Sequence, residues 1–298
     1  MRVYLMLAVA TLLAPSWGFG AEELAAKVKT VLETPRRDMS RFPSQEHAEA
    51  LRPLGDRVYP ALASFLADHN LGYEAASTMV DLDPERAAPY LFEAIPKTEE
   101  GVQVFAFEQY VRRIRRGDKV RPSKTIHDAA IRALDSNLKP RPMVVEPALY
   151  AIGLSGSPAD ISVLRKHLLD DSSSSMWRDK MRRAAEAALA KVGDEAAIKS
   201  IREKLDAPVP AALNWKQSED LAYTIDEAVF VNPRMFSQSI CRHLNDAIES
   251  HPDTDYSPAS PSAFAKQTFI ALAKDAPKIY SDAGEWSKWQ KKHPELCK

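Results

Sequence analysis

The sequence predicts an all-α fold, a solenoid of about six stacked helical hairpins with no sheet. Three observations carry that expectation. Apolar residues recur at i, i+3, i+4 and i+7 through most of the chain. Hinge sequences of one kind return about every 37 residues. No stretch alternates apolar and polar residues between turn signals, as a half-buried strand would. The composition fits: of 298 residues, 45% are hydrophobic and 27% charged, which is globular rather than disordered. Ten Gly stand against 21 Pro, leaving few residues for phosphate-cradling loops and many to punctuate helices.

The elements follow in order. Residues 21–56 are polar and carry Pro35, Pro43 and Pro53, so they read as a helical lead-in (Glu22 to Glu33) and an N-terminal cap. Helix pairs are expected at 57–68 and 72–83, 84–97 and 99–116, 124–138 and 143–155, then 158–170 and 176–193. Two more pairs follow at 195–206 with 214–231 and 233–249 with 261–275. The hinges between pairs are Asp83-Pro84, Gly156-Ser157, Gly193-Asp194 and Asn232-Pro233, with one more copy near Gly117-Asp118. In each, a residue ends one helix and a side-chain acceptor or Pro opens the next. The clearest unit is 181–194. Its apolar residues are Met181, Ala184, Ala185, Ala188, Leu189 and Val192; Gly193 stops the helix and Asp194 can cap its successor. A final helix at 282–292 places Trp286 and Trp289 at i and i+3, a pair suited to capping the last repeat within a 276–298 end cap.

Ile161 to Asp171 (ISVLRKHLLDD) followed by Arg182 to Gly193 (RRAAEAALAKVG) resembles a HEAT repeat. In that pattern a Leu-rich first helix ends in Asp and the second carries Arg-x-x-Ala-x-x-Ala-Leu. Val58-Tyr-Pro-Ala-Leu62 with Phe65-Leu-Ala-Asp68 is similar to the first-helix half, including its Pro. The resemblance covers residues 57–275 and is close only over 158–206. Departures are the insertion at 119–124, the Ser172–Ser175 loop and the weak pair at 233–275. It implies a right-handed solenoid of the armadillo-like class, whose concave face, lined by the second helices, holds a partner protein.

The first residues read as a secretory signal peptide. Arg2 is the positive start, Val3 to Ala14 an apolar run, and Gly18 and Gly20 the small residues before a cut that would leave Ala21 first. As a helix that run spans about 18 Å, short of a bilayer core of roughly 30 Å. The expected location is therefore outside the cytoplasm, periplasmic or extracellular. Export places Cys241 and Cys297 in an oxidising environment, where a bridge between them is expected. It would close a loop of about 57 residues, worth about 4 kcal/mol by chain entropy. The alternative is two separate buried thiols. The formal net charge is −1, and loss of Arg2 makes the mature chain one unit more negative. Such a balance argues against a nucleic-acid partner.

No motif specifies chemistry. There is no G-x-G-x-x-G, P-loop or H-E-x-x-H, so no cofactor is implied. Gly153-Leu-Ser-Gly-Ser157 lacks the last Gly and the preceding strand of a nucleophile elbow and reads as a helix end and turn. Ser136-Asn-Leu-Lys139 matches S-x-x-K with no K-T-G to accompany it. The seven His (47, 69, 127, 167, 243, 251, 293) form no pair at metal-ligand spacing. A Cys2His2 site from Cys241, His243, His293 and Cys297 competes with the disulfide, which needs fewer assumptions. Carboxylates come as neighbours (Glu99-Glu100, Asp170-Asp171, Asp226-Glu227, Asp253 with Asp255), which suits helix N-termini and solvated loops. Glycoside chemistry would instead need two from separate elements facing one cleft.

The one charge cluster is basic. Arg112, Arg113, Arg115, Arg116, Lys119, Arg121 and Lys124 crowd the end of a second helix and the insertion after it, opposed by Asp118. A solvated helix C-terminus accounts for basic residues there. The functional reading makes Arg112, Arg113, Arg116 and Lys119 a surface for an acidic protein or an anionic polymer or lipid. Overall the sequence points to an exported, non-catalytic, protein-binding scaffold. Its alternatives are an enzyme with a site built between repeats, marked by a deep pocket of convergent ionisable groups, and a self-assembling structural component.

Overall fold

A computed structural model describes residues 20–35, 42–116, 118, 120–135, 142–168, 175–210, 212–246 and 260–297. The signal sequence up to Phe19, Lys119, Ser136 to Lys139, Asp170-Asp171, His251 and Asp253 with Asp255 lie outside them. All regular structure among the described residues is helical, and the fold is all-α and solenoid-like. No described helix is long and apolar enough to cross a membrane. The chain divides into two compact units, Met1–Ala148 and Leu149–Lys298.

The first unit contains α1 (Ala21–Leu32), α2 (Pro43–Leu51), α3 (Val58–Ala63), α4 (Gly72–Leu82), α5 (Pro84–Ala94), α6 (Glu100–Arg116) and α7 (Lys124–Asp135). Each odd helix packs on the next odd one, α1 on α3, α3 on α5 and α5 on α7. The even helices do likewise, α2 on α4 and α4 on α6. Two layers of helices result, the arrangement that lets each amphipathic hairpin bury its stripe against the next. The segment expected as lead-in and cap is thus another hairpin of the stack, α1 with α2. Leu24, Val28 and Leu32 of α1 and His47, Ala48 and Leu51 of α2 are buried.

The start of α5 shows how sequence sets a hinge. Asp83 leaves helical geometry, its carboxylate accepts the Glu85 and Arg86 amides at 2.9 and 3.2 Å, and Pro84 needs no acceptor at the first helical position. Around it lies an aromatic core. Phe92 meets Phe107 at 5.3 Å and Tyr110 edge-on at 4.9 Å, and the Tyr110 hydroxyl donates to the Pro84 carbonyl.

Helix α8 (Pro142–Ser155) spans the boundary between units. The second unit continues with α9 (Ile161–Leu168), α10 (Ser175–Lys191), α11 (Glu195–Asp206), α12 (Trp215–Val231), α13 (Ser237–Cys241), α14 (Pro261–Leu272), α15 (Ala283–Lys292) and α16 (Pro294–Cys297). Here α10, α12 and α14 form one layer, and α11 packs on α13 in the other. Ala184, Ala185, Ala187 and Ala188 make the buried face of α10 small, and Gly153 sits against it. A Cβ on Gly153 would lie 2.9 Å from the Ala188 Cα, so this approach requires glycine. Gly193 ends α10 at φ +97°, the left-handed conformation of a helix stop, and Asp194 accepts the Ala197 amide at 3.0 Å to open α11. Asn214 and Gln217 form a reciprocal capping box at the start of α12.

The expected helix over 233–249 is mostly replaced. The Asn232 side chain accepts the Arg234 and Met235 amides, and the chain turns before the short α13 and again after it. The Cys241–Cys297 disulfide, with Cα atoms 5.4 Å apart, ties α13 to α16. Gln290 donates to the Cys241 carbonyl at 2.9 Å beside it. Trp286 and Trp289 are buried, 5.6 Å apart edge to face, with Phe269 of α14 at 5.3 Å from Trp289.

Candidate functional site

The sequence-expected surface lies at the end of α6. Arg112 and Arg116, one turn apart, are exposed and share a face. Arg113 is turned partly inward, 3.9 Å from the Asp118 carboxylate. Lys119 lies outside the described residues, so the described part of the patch is two open cations and one engaged by its own loop.

Other sequence candidates are used locally. Ser155 donates to the Ala151 carbonyl at 2.6 Å, and Ser157 forms a capping box with Asp160. His243 is buried between the Leu205 carbonyl at 2.8 Å and Asp246 at 2.7 Å, while Cys241 and Cys297 are consumed by their bond.

A concavity lies elsewhere, in the second unit. A groove of about 700 Å³ runs between α10, the end of α11, the 207–213 connection and α12. Helix α10 contributes Asp179, Arg182, Arg183 and Glu186, spaced at i, i+3, i+4 and i+7 and therefore on one face. Helix α12 contributes Lys216, Asp220, Leu221, Thr224 and Glu227 by the same periodicity. The Ala207-Pro-Val-Pro210 run supplies an apolar wall, because Pro cannot continue α11 and holds the chain extended.

Two carboxylates from separate helices face this groove with different surroundings. Glu186 accepts from the Ser200 hydroxyl at 2.6 Å and is bridged by the Lys204 ammonium. Glu227 is 2% exposed, and neither of its carboxylate oxygens makes a hydrogen bond. Its nearest cation is the Arg183 guanidinium, with Nε 3.9 Å away, beyond hydrogen-bond reach. That guanidinium lies 4.5 Å over the Tyr223 ring and 3.7 Å from Asp220. Burial pushes the Glu227 carboxyl up to about 8, with the Glu186 charge adding to the shift and Lys204 and Arg183 opposing it. At neutral pH the group is therefore mostly the neutral acid, one hydroxyl donor and one carbonyl acceptor, both unused.

Sequence reading missed this site. The residues pair Glu227 with Asp226 as acids suited to helix N-termini and solvated loops, and no motif singles out Glu186. The available signal was polar residues at helical spacing on both α10 and α12, the pattern of two faces sharing a wet groove. Among the described residues no group of three or more His, Cys, Asp or Glu is placed to hold a metal. Comparison with known proteins adds no name: no family model, curated protein or solved structure matches the chain.

Proposed function

We propose that this protein is an exported, non-catalytic scaffold of HEAT-like hairpins that holds a partner chain in the groove of its second unit. The observation that carries the reading is Glu227. A buried ionisable side chain with two unused hydrogen-bonding positions costs stability, and a fold keeps such a group where a ligand completes it. The apolar wall beside it and the 36% exposure of Val209 suit an extended peptide segment laid along the groove. The hairpin stacking supports a scaffold built for surface recognition.

A second reading is catalytic. Two carboxylates on separate helices face one cleft, and one of them is held neutral near pH 7, as a general acid would be. Against it, Glu186 is already engaged by Ser200 and Lys204 and so is poorly placed as a free base or nucleophile. Cleavage of a captured ligand by the parent and not by Glu227→Gln would establish that reading.

The binding reading is tested by selecting a displayed library of random 12-residue peptides on the purified chain. Selection on the parent should fall at least tenfold on Val209→Asp. If it falls instead on Arg112→Glu/Arg116→Glu, the surface at the end of α6 is the partner site. Selection on none of the three would remove the binding reading.

A further inference from the structure

We infer that the groove recognises a neutral primary carboxamide, such as an Asn or Gln side chain carried on an extended, apolar or proline-containing segment, with the Glu227 carboxyl as its complement. The inference rests on the binding reading above and names the chemistry of that site. A carboxyl in its acid form presents a donor and an acceptor side by side in one plane. A primary carboxamide presents the matching acceptor and syn N–H donor side by side, so the two close a cyclic pair of hydrogen bonds, which a trans peptide group, with its C=O and N–H on opposite sides, does not. Both Glu227 oxygens are free for that pairing, buried and at the groove.

The alternatives fit less well. A cationic ligand would enter beside Arg183 and Lys204, which already neutralise this region. An anionic ligand would meet Glu186. A sugar would lay its hydroxyls against Pro208, Val209, Pro210 and Leu213, which return no hydrogen bond. Burial supports the acid form, since the carboxyl titrates near 8. The charged groups bearing on it are Arg183 and Glu186 of α10, Lys204 of α11 and Asp226 of its own helix. Lys266, the one charged residue of α14, lies 6.0 Å over the Trp286 ring.

The experiment follows the Glu227 carboxyl carbon by NMR in protein labelled at the glutamate carboxyls, assigned by its loss in Glu227→Gln. Three probes are added in turn between pH 6 and pH 10: N-acetylprolinamide, n-butylammonium and methyl glucoside. The amide should move the resonance, and its titration midpoint should rise as amide is added, because only the acid form pairs. Glu227→Gln carries the same donor and acceptor and should bind the amide with an affinity independent of pH. Glu227→Leu should bind it at least tenfold more weakly, with folding checked by circular dichroism. A response to butylammonium with a falling midpoint, a response to the glucoside alone, or no response to any probe would each overturn the inference. Peptide selection that still depends on Val209 would, in those cases, leave the broader binding reading standing.

Discussion

In the first unit Phe92 packs tilted on Phe107 and edge-on to Tyr110 between α5 and α6, and large side chains fill the space that two layers of helices leave. In the second unit the buried residues of α10 include Ala184, Ala185, Ala187 and Ala188 beside Met181 and Leu189, and Gly153 lets α8 come so close that a Cβ is excluded. At these two places the interior is filled in one case by side-chain volume and in the other by backbone approach, while Phe236, Phe269 and Trp286 supply buried volume elsewhere in the second unit. The second route has a consequence for function. Asp179, Arg182, Arg183 and Glu186 of the same helix line a groove. One helix thus serves both a close-packed interior and a polar concavity, and the side chains rather than the fold class decide which part does which.

Shrinking a residue should break the first unit most. Phe92 is wholly buried and touches two aromatic rings, so Phe92→Ala should cost about 3–5 kcal/mol by lost transfer energy and the cavity left behind. Urea unfolding followed by tyrosine and tryptophan fluorescence measures it. A cost below about 1 kcal/mol would mean the aromatic cluster repacks and that volume does not hold this unit together.

Enlarging a residue should break the second. Gly153→Val places a branched side chain where even one carbon would lie 2.9 Å from Ala188 and 3.1 Å from the Phe230 ring. Overpacking of that kind costs about 1–3 kcal/mol. The same substitution at Gly101 of α6, where an added Cβ meets nothing within 4 Å, serves as the control and should stay within about 0.5 kcal/mol. Equal losses at both positions would mean that close approach at Gly153 does not set the effect, since helix propensity favours Val over Gly.

Much of this architecture could be read from the residues, because helix boundaries are local. Asp83, Asp194, Asn214 and Asp282 each have a side chain that accepts amides of the following turn, and Gly193 has the one conformation that stops α10 cleanly. Where local signals competed, the reading failed. The apolar spacing of Phe236, Ile240 and Leu244 suggested one long helix, but the Asn232 turn and the contacts of Leu244 and His243 with the rest of the unit fix short turns instead. The groove was illegible for a different reason. Glu186 and Glu227 sit on separate helices, and nothing in either local sequence says that they face each other across α10 and α12. Their pairing is a product of stacking, and so is the burial that changes their chemistry.

A further prediction separates that burial from ordinary surface charge. The Glu227 carboxyl is raised from the ordinary value of 4.5 to about 8, so between those values the folded chain holds a proton that the unfolded chain has released. Stability therefore falls as pH rises through that window; below about 4.5 the group contributes no pH dependence, and above about 8 the loss is complete and grows no further. Glu227→Gln keeps the shape and removes the titration. Thermal unfolding of parent and variant should coincide near pH 4, then separate in the variant's favour as pH climbs to 8.5. Each kcal/mol of difference corresponds to about 2–4 °C for a unit of this size. His47, His69 and His293 titrate in both proteins and cancel in the comparison. Parallel curves across the whole range would mean that water or Arg183 stabilises the ionised carboxylate, and the groove would then be an open surface with no buried acid at its floor.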